Sequence, residues 1–165
     1  MVPINEGEKG TVILDNRYVP LIVSTFVGEV ELSQGLWYER TILEIIGREG
    51  AAGRRVVNIH DASRVTKTSA EMRRFWADLS ARHAATLESR TLANVIVVSN
   101  ALMRGVLTAV GWMNPRVAAL KLFPTLETAI AASQKLLQAA ATPVTIPMGG
   151  YQLPHPGSIA PGAPR

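Results

Sequence analysis

The sequence predicts a mixed α/β domain: a mostly parallel sheet with an N-terminal β-hairpin, in the order β-β-α-β-α-β-α-β-α. Three observations carry that reading. Two β-branched runs, Thr11–Asp15 (TVILD) and Val19–Val27 (VPLIVSTFV), are separated only by Asn16-Arg17-Tyr18, the spacing of an antiparallel hairpin. Beyond them, short apolar runs alternate with segments of helical periodicity, which implies parallel pairing through crossover helices. Finally, the 47% apolar and 18% charged composition is that of a globular body.

Taken in order, Pro20 stands near the start of its run, where a strand tolerates a missing N–H best. Leu32, Leu36, Leu43 and Ile46 recur at helical spacing and predict a helix from Leu32 to Gly47, closed by Gly47, Gly50 and Gly53. Arg55–Asp61 (RVVNIHD) reads as a short buried strand. A second helix is expected over Ser69–Leu87, with Met72, Phe75, Trp76, Leu79 and His83 on one stripe. Thr68 or Ser69 caps it, and Thr68 with Glu71 spells a capping box. Leu92–Ser99 (LANVIVVS) is the strongest strand pattern in the chain. Ser99 or Asn100 then caps a third helix reaching Trp112, before the Asn114-Pro115 break. Val117–Phe123 gives a further strand, and Pro124-Thr125 opens a last helix to Ala139, with Leu126, Ala129, Ile130, Leu136 and Leu137 inward. The expected organisation is an N-terminal arm (1–10), an α/β domain (11–140) and a Pro/Gly-rich tail (141–165). The tail holds six of the ten prolines and cannot build a core of its own.

Composition also removes whole classes of chemistry. With no cysteine there is no disulfide, thiolate zinc site or cysteine nucleophile. The first ten residues lack the apolar run of a signal peptide, and the apolar stretch around Val19–Gly28 is too short to span a bilayer, so cytoplasmic residence is expected. Thirteen of seventeen basic residues are arginine, scattered from Arg17 to Arg165 with only Arg54-Arg55 and Arg73-Arg74 adjacent. Nucleic-acid binders concentrate charge on one element, so this distribution argues against a nucleic-acid partner. None of Gly-x-Gly-x-x-Gly, Gly-x-x-x-x-Gly-Lys-Ser/Thr or Gly-x-Ser-x-Gly occurs. No histidine spacing suggests a metal, and no cofactor is expected.

Three stretches, VVNIHDASRV (56–65), LANVIVVSNALMRGVLTAVGW (92–112) and LKLFPTLETAIAA (120–132), together with the opening hairpin, resemble STAS domains. More narrowly, they resemble bacterial SpoIIAA-like proteins, also described as STAS/SEC14-like. The resemblance covers residues 10–138. It implies a non-enzymatic regulatory module of the anti-sigma-factor-antagonist type, docking a regulatory kinase or sigma-regulator protein. Such proteins carry a phosphorylatable serine at the start of the helix after the third strand, within Asp-Ser-Ser-Gly. Here the matching stretch is Thr66-Lys67-Thr68-Ser69-Ala70-Glu71, which makes Ser69 or Thr68 the phospho-acceptor candidate and lacks the Asp and Gly.

Ligands of open parallel sheets bind beyond the carboxyl ends of the strands. That edge is expected to collect Asp61, Ser63, Arg64, Thr66, Thr68 and Ser69 after one strand, and Asn100 and Arg104 after the next. Arg104 in a first helical turn opposes the helix dipole and so awaits an anionic partner. The plainer reading of the same residues is structural: Ser69 and Thr68 as caps, Asp61 fixing its own turn. Other functions stay open. The SEC14-like label implies a small-molecule or lipid carrier with a cavity lined by Phe75, Trp76, Leu79 and Val106. An enzyme would have to use His60, Asp61 and Arg104 in one cleft. Exposure of Met103, Leu107 and Trp112 would make a partner or homodimer patch, and the tail could hold an assembly together by threading a neighbour.

Overall fold

The computed structural model describes residues 2–99, 120–147 and 150–154. Its strands are β1 (Ile4–Glu6), β2 (Gly10–Tyr18), β3 (Leu21–Glu29), β4 (Val56–Lys67), β5 (Thr91–Val97) and β6 (Lys121–Phe123). Its helices are α1 (Leu32–Ala51), α2 (Ala70–Arg82), α3 (Ala84–Arg90) and α4 (Leu126–Ala139). The six strands form one sheet in sequence order. The pairs β1–β2 and β2–β3 are antiparallel, while β3, β4, β5 and β6 run parallel. The mixed, mostly parallel sheet with an N-terminal hairpin is thus the architecture present.

Alternation along the strands divides the interior into two cores. On one face Val12, Leu14, Ile22, Phe26 and Val56 pack against Tyr38, Ile42, Ile45 and Ile46 of α1 and Met72, Phe75 and Leu79 of α2. On the other, Leu21, Val23, Val57, Ile59, Ala93, Val95 and Val97 pack against Ala129, Ile130 and Leu137 of α4. The hairpin closes at one tight crossing. Gly10 lies opposite Gly28, whose φ is +73°, and a Cβ on Gly28 would lie 2.4 Å from the Lys9 carbonyl. Only glycine fits both the dihedral and the approach.

Several elements depart from the expected boundaries. Residues 4–6 of the arm form an edge strand, held partly by Gln34, whose Nε2 donates to the Asn5 and Gly10 carbonyls at 3.1 and 3.0 Å. Helix α1 does not stop at Gly47 but continues through Gly50 to Ala51, and Gly53, at φ +74°, lies past its end. Its inward stripe is Gly35, Tyr38, Ile42, Ile45, Ile46 and Glu49. Leu36 is 53% exposed. The inward position its spacing predicts fails because spacing alone leaves the phase of a helix free when both sides carry leucine. The expected Ser69–Leu87 helix is two helices meeting at His83, which accepts a boundary position. His83 Nε2 lies 2.7 Å from Glu39 Oε1, and Arg82 Nη2 donates to both Glu39 oxygens at 3.0 Å.

The tail lies on its own domain as far as it is described. Val144, Ile146 and Tyr151 pack on the α4 face, Arg17 Nη2 donates to the Gln152 carbonyl at 2.9 Å, and Tyr18 meets Tyr151 edge-on. Buried Asp15 holds Arg17 through both carboxylate oxygens, at 2.9 and 2.8 Å, and so orients it toward the tail. The expected third helix, with Asn100, Leu102, Met103, Arg104, Val106, Leu107 and Trp112, lies outside the described residues.

Candidate functional site

Strand β4 carries the centre of the site because its alternation is polar on one face and apolar on the other. Val57 and Ile59 enter the α4 core, while Asn58 and His60 face α1 and α2. There a cavity of about 350 Å³ lies between the sheet and the two helices. Among the described residues, its walls include Phe26, Val30, Tyr38, Ile42, Ala62, Val65, Met72, Trp76, Leu79, Leu87 and Ile96. Its polar surface is Asn58, His60 and Asn94, and exposed Lys67 and Ser80, with half-buried Thr68, mark where it meets solvent. The volume falls at the lower end of the range for small-molecule sites.

The polar surface is a connected network. Ser24 Oγ donates to Asn58 Oδ1 at 3.1 Å, and Asn58 Nδ2 donates to Tyr38 Oη at 3.2 Å. The same Nδ2 lies 3.1 Å from His60 Nε2, and Tyr38 Oη lies 3.3 Å from His60 Nδ1. An amide N–H facing Nε2 requires that nitrogen to accept, so the neutral tautomer carries its proton on Nδ1, toward Tyr38. Burial pushes the His60 pKa down to about 4, only partly offset by the side chain of Asn94 on the adjoining strand. Burial likewise raises the Tyr38 phenol above its ordinary range, against hydrogen bonds from Ser24 and Asn58. Both rings are therefore neutral at pH 7. Around them, Phe26, Tyr38 and Trp76 meet edge-to-face with centroids 5.3–5.5 Å apart, and Phe26 lies nearly parallel to His60, 5° between planes. Neutral polar groups among aromatic walls can bind and orient a small molecule.

The expected rim is distributed over both faces of the sheet. Asp61 is 2% exposed and turned toward α4, where its Oδ1 accepts from Ser63 N–H (3.0 Å) and Ser63 Oγ (2.6 Å), fixing its own turn. With Arg64, Leu126 and Tyr151 it borders a smaller pocket of about 110 Å³. Arg64 and Thr66 are not in a loop after the strand. β4 runs on to Lys67 past register shifts, pairing Val27 with Arg64 and Glu29 with Lys67. Thr68 belongs to the cavity on the opposite face. Ser69 is the cap of α2, its Oγ accepting from Met72 N–H at 3.0 Å, and Arg73 folds back to donate to the Thr68 carbonyl at 2.8 Å. The sheet therefore separates Asp61 from Ser69. It also separates Asp61 from His60, which removes the enzyme reading that needed both in one cleft. Asn100 and Arg104 lie outside the described residues.

Of the expected cavity residues, Trp76 and Leu79 line it, Phe75 packs in the core instead, and Val106 is outside the described residues. Sequence reasoning missed Phe26, Tyr38, Asn58 and Asn94. The readable signal was Asn58 and His60 two apart within an otherwise apolar strand, two polar groups on one buried face. Among the described residues no cluster of acidic and histidine side chains could hold a metal ion, and no helix is long and apolar enough to cross a membrane.

No protein-family model matches the chain, and no curated protein matches it. Solved structures do. An uncharacterised protein of the DUF3478 family with a SpoIIAA-like fold, from Shewanella loihica PV-4, superposes with a TM-score of 0.51 at 12% identity, over 81% of this chain and 92% of that one. An anti-sigma factor antagonist from Mycobacterium paratuberculosis superposes with a TM-score of 0.44 at 17% identity, over 79% and 94%. The superposition on the first of these, together with the mixed six-stranded sheet, shows that the chain has a SpoIIAA-like fold.

Proposed function

We propose that this domain is a small-molecule-binding regulatory module, with its ligand held in the cavity between β3–β5 and helices α1 and α2. One observation carries the reading: a 350 Å³ cavity whose aromatic and aliphatic walls surround a fixed, neutral polar cluster of Asn58, His60 and Asn94. Mostly apolar lining with a few oriented polar groups is the general form of a ligand site. A core serving stability alone would be expected to fill such space with side chains. The test is native mass spectrometry of the purified chain beside its denatured mass, followed by solvent extraction. A discrete extra mass that disappears in an Ile96→Trp variant supports the reading. Equal native and denatured masses, with no small aromatic or aliphatic compound binding on titration, would overturn it.

A second reading is favoured by the continuity of the cavity opening with the start of α2. Thr68 borders the cavity, Ser69 caps the helix, and Lys67 and Arg73 stand beside it. A protein partner docking there would sense cavity occupancy. A phosphate on Ser69 or Thr68 would place negative charge at a helix N-terminus within reach of Arg73. Partner binding by Ser69→Asp and Ser69→Ala decides this; unchanged affinity in both folded variants removes the phospho-switch.

A further inference from the structure

The groups facing the cavity limit the kind of molecule it takes, an inference that rests on the ligand-binding reading above. We infer that the guest is an uncharged, flat molecule of roughly two or three fused rings bearing an amide-like hydrogen-bonding group, and not an anionic amphiphile.

Shape comes first. Phe26, Tyr38 and Trp76 hold one another edge-to-face, which fixes their orientations, and the Phe26 and His60 planes run parallel within 5° with centroids 6.4 Å apart. Rigid aromatic walls favour a planar guest over a flexible chain, which loses more conformational freedom on entry.

Hydrogen bonding comes next. The Asn58 amide is fully engaged by Ser24, Tyr38 and His60. Asn94, its partner across the β4–β5 pair, touches the His60 ring and otherwise turns a half-buried carboxamide to the cavity. A guest with a carbonyl beside an N–H can pair with whichever part of that carboxamide His60 leaves open. An alkyl chain would strip its water and return nothing.

Charge settles the class. Among the described residues, the ionisable ones lining the cavity are Tyr38, His60 and Lys67. Tyr38 and His60 are neutral for the reasons given above. Lys67 has a 71% exposed side chain paired with Glu29 at 3.4 Å, which leaves it at the edge of the cavity. Among the described residues, a carboxylate carried inward would meet no counter-ion.

The experiment is titration of the full chain with 2-naphthamide and 2-naphthoate, near-isosteres that differ in charge at pH 7, followed by Trp fluorescence and calorimetry. Naphthalene and decanoate complete the set. The expected result is naphthamide binding about tenfold or more tighter than naphthoate. Asn94→Leu should weaken naphthamide about tenfold while leaving naphthalene unchanged, with circular dichroism reporting that the variant is folded. Naphthoate or decanoate binding as tightly as naphthamide would overturn the neutral, planar class while leaving the cavity a ligand site. Binding of none of the four would overturn the class and the ligand-binding reading with it.

Discussion

Acidification tests the buried state of His60 directly. Its pKa is depressed from 6.5 to about 4 by burial, so between those values the unfolded chain binds a proton that the folded chain refuses. Stability is then complete above about pH 6.5 and falls as pH drops toward 4. The full displacement corresponds to about 3 kcal/mol, of which about 2 kcal/mol is lost by pH 5. Protonation also sets Nε2–H against the Asn58 N–H, donor facing donor. The assay is urea unfolding of the parent chain and His60→Gln at intervals from pH 7.5 to 5. Glutamine does not titrate, so its curve carries every other acid-sensitive contribution, including Glu39. Burial disfavours ionisation of that carboxylate, but hydrogen bonds from His83 and Arg82 outweigh it and lower its pKa. The parent should lose about 2 kcal/mol more than the variant over this interval. Parallel curves would refute the reasoning and mean that His60 is solvated.

Other substitutions probe the scaffold around the site. Ser69→Ala removes the α2 cap and should lower stability by about 1 kcal/mol in urea unfolding, an effect confined to folding if Ser69 is only a cap. Gly28→Ala introduces a Cβ against the Lys9 carbonyl at φ +73°, and a loss of about 2 kcal/mol or more is expected; a neutral result would mean the hairpin crossing relaxes freely. The Thr25 hydroxyl is fully buried without a hydrogen-bond partner among the described residues, so Thr25→Val should gain about 1 kcal/mol, measurable as a higher unfolding midpoint. Ending the chain at residue 142 uncovers the face against which Val144, Ile146 and Tyr151 pack, and should lower Tm and raise binding of an apolar dye. An unchanged Tm would mean the tail contributes no packing.

The layered α/β architecture was legible because strand and helix periods differ and the turns between them are marked. LANVIVVS and the second run of the hairpin could be little else than strands, and the order of elements followed. Strand polarity carried more than was read from it. Asn58 and His60 against Val57 and Ile59 already placed two polar groups in one core layer and Asp61 in the other. What the linear pattern did not hold was phase and extent. Nothing local told Leu36 to face water, since leucine lies on both sides of α1 and the packing of Tyr38 and Ile42 on the sheet chose its rotation. Nor could it end β4 at Lys67, because that extension exists only through pairing with β3. The cavity is a property of neither strand nor helix. It arises where Phe26, Tyr38, His60, Trp76 and Asn94, from five separate elements, fail to fill the space between them, and only the tertiary arrangement fixes that distance.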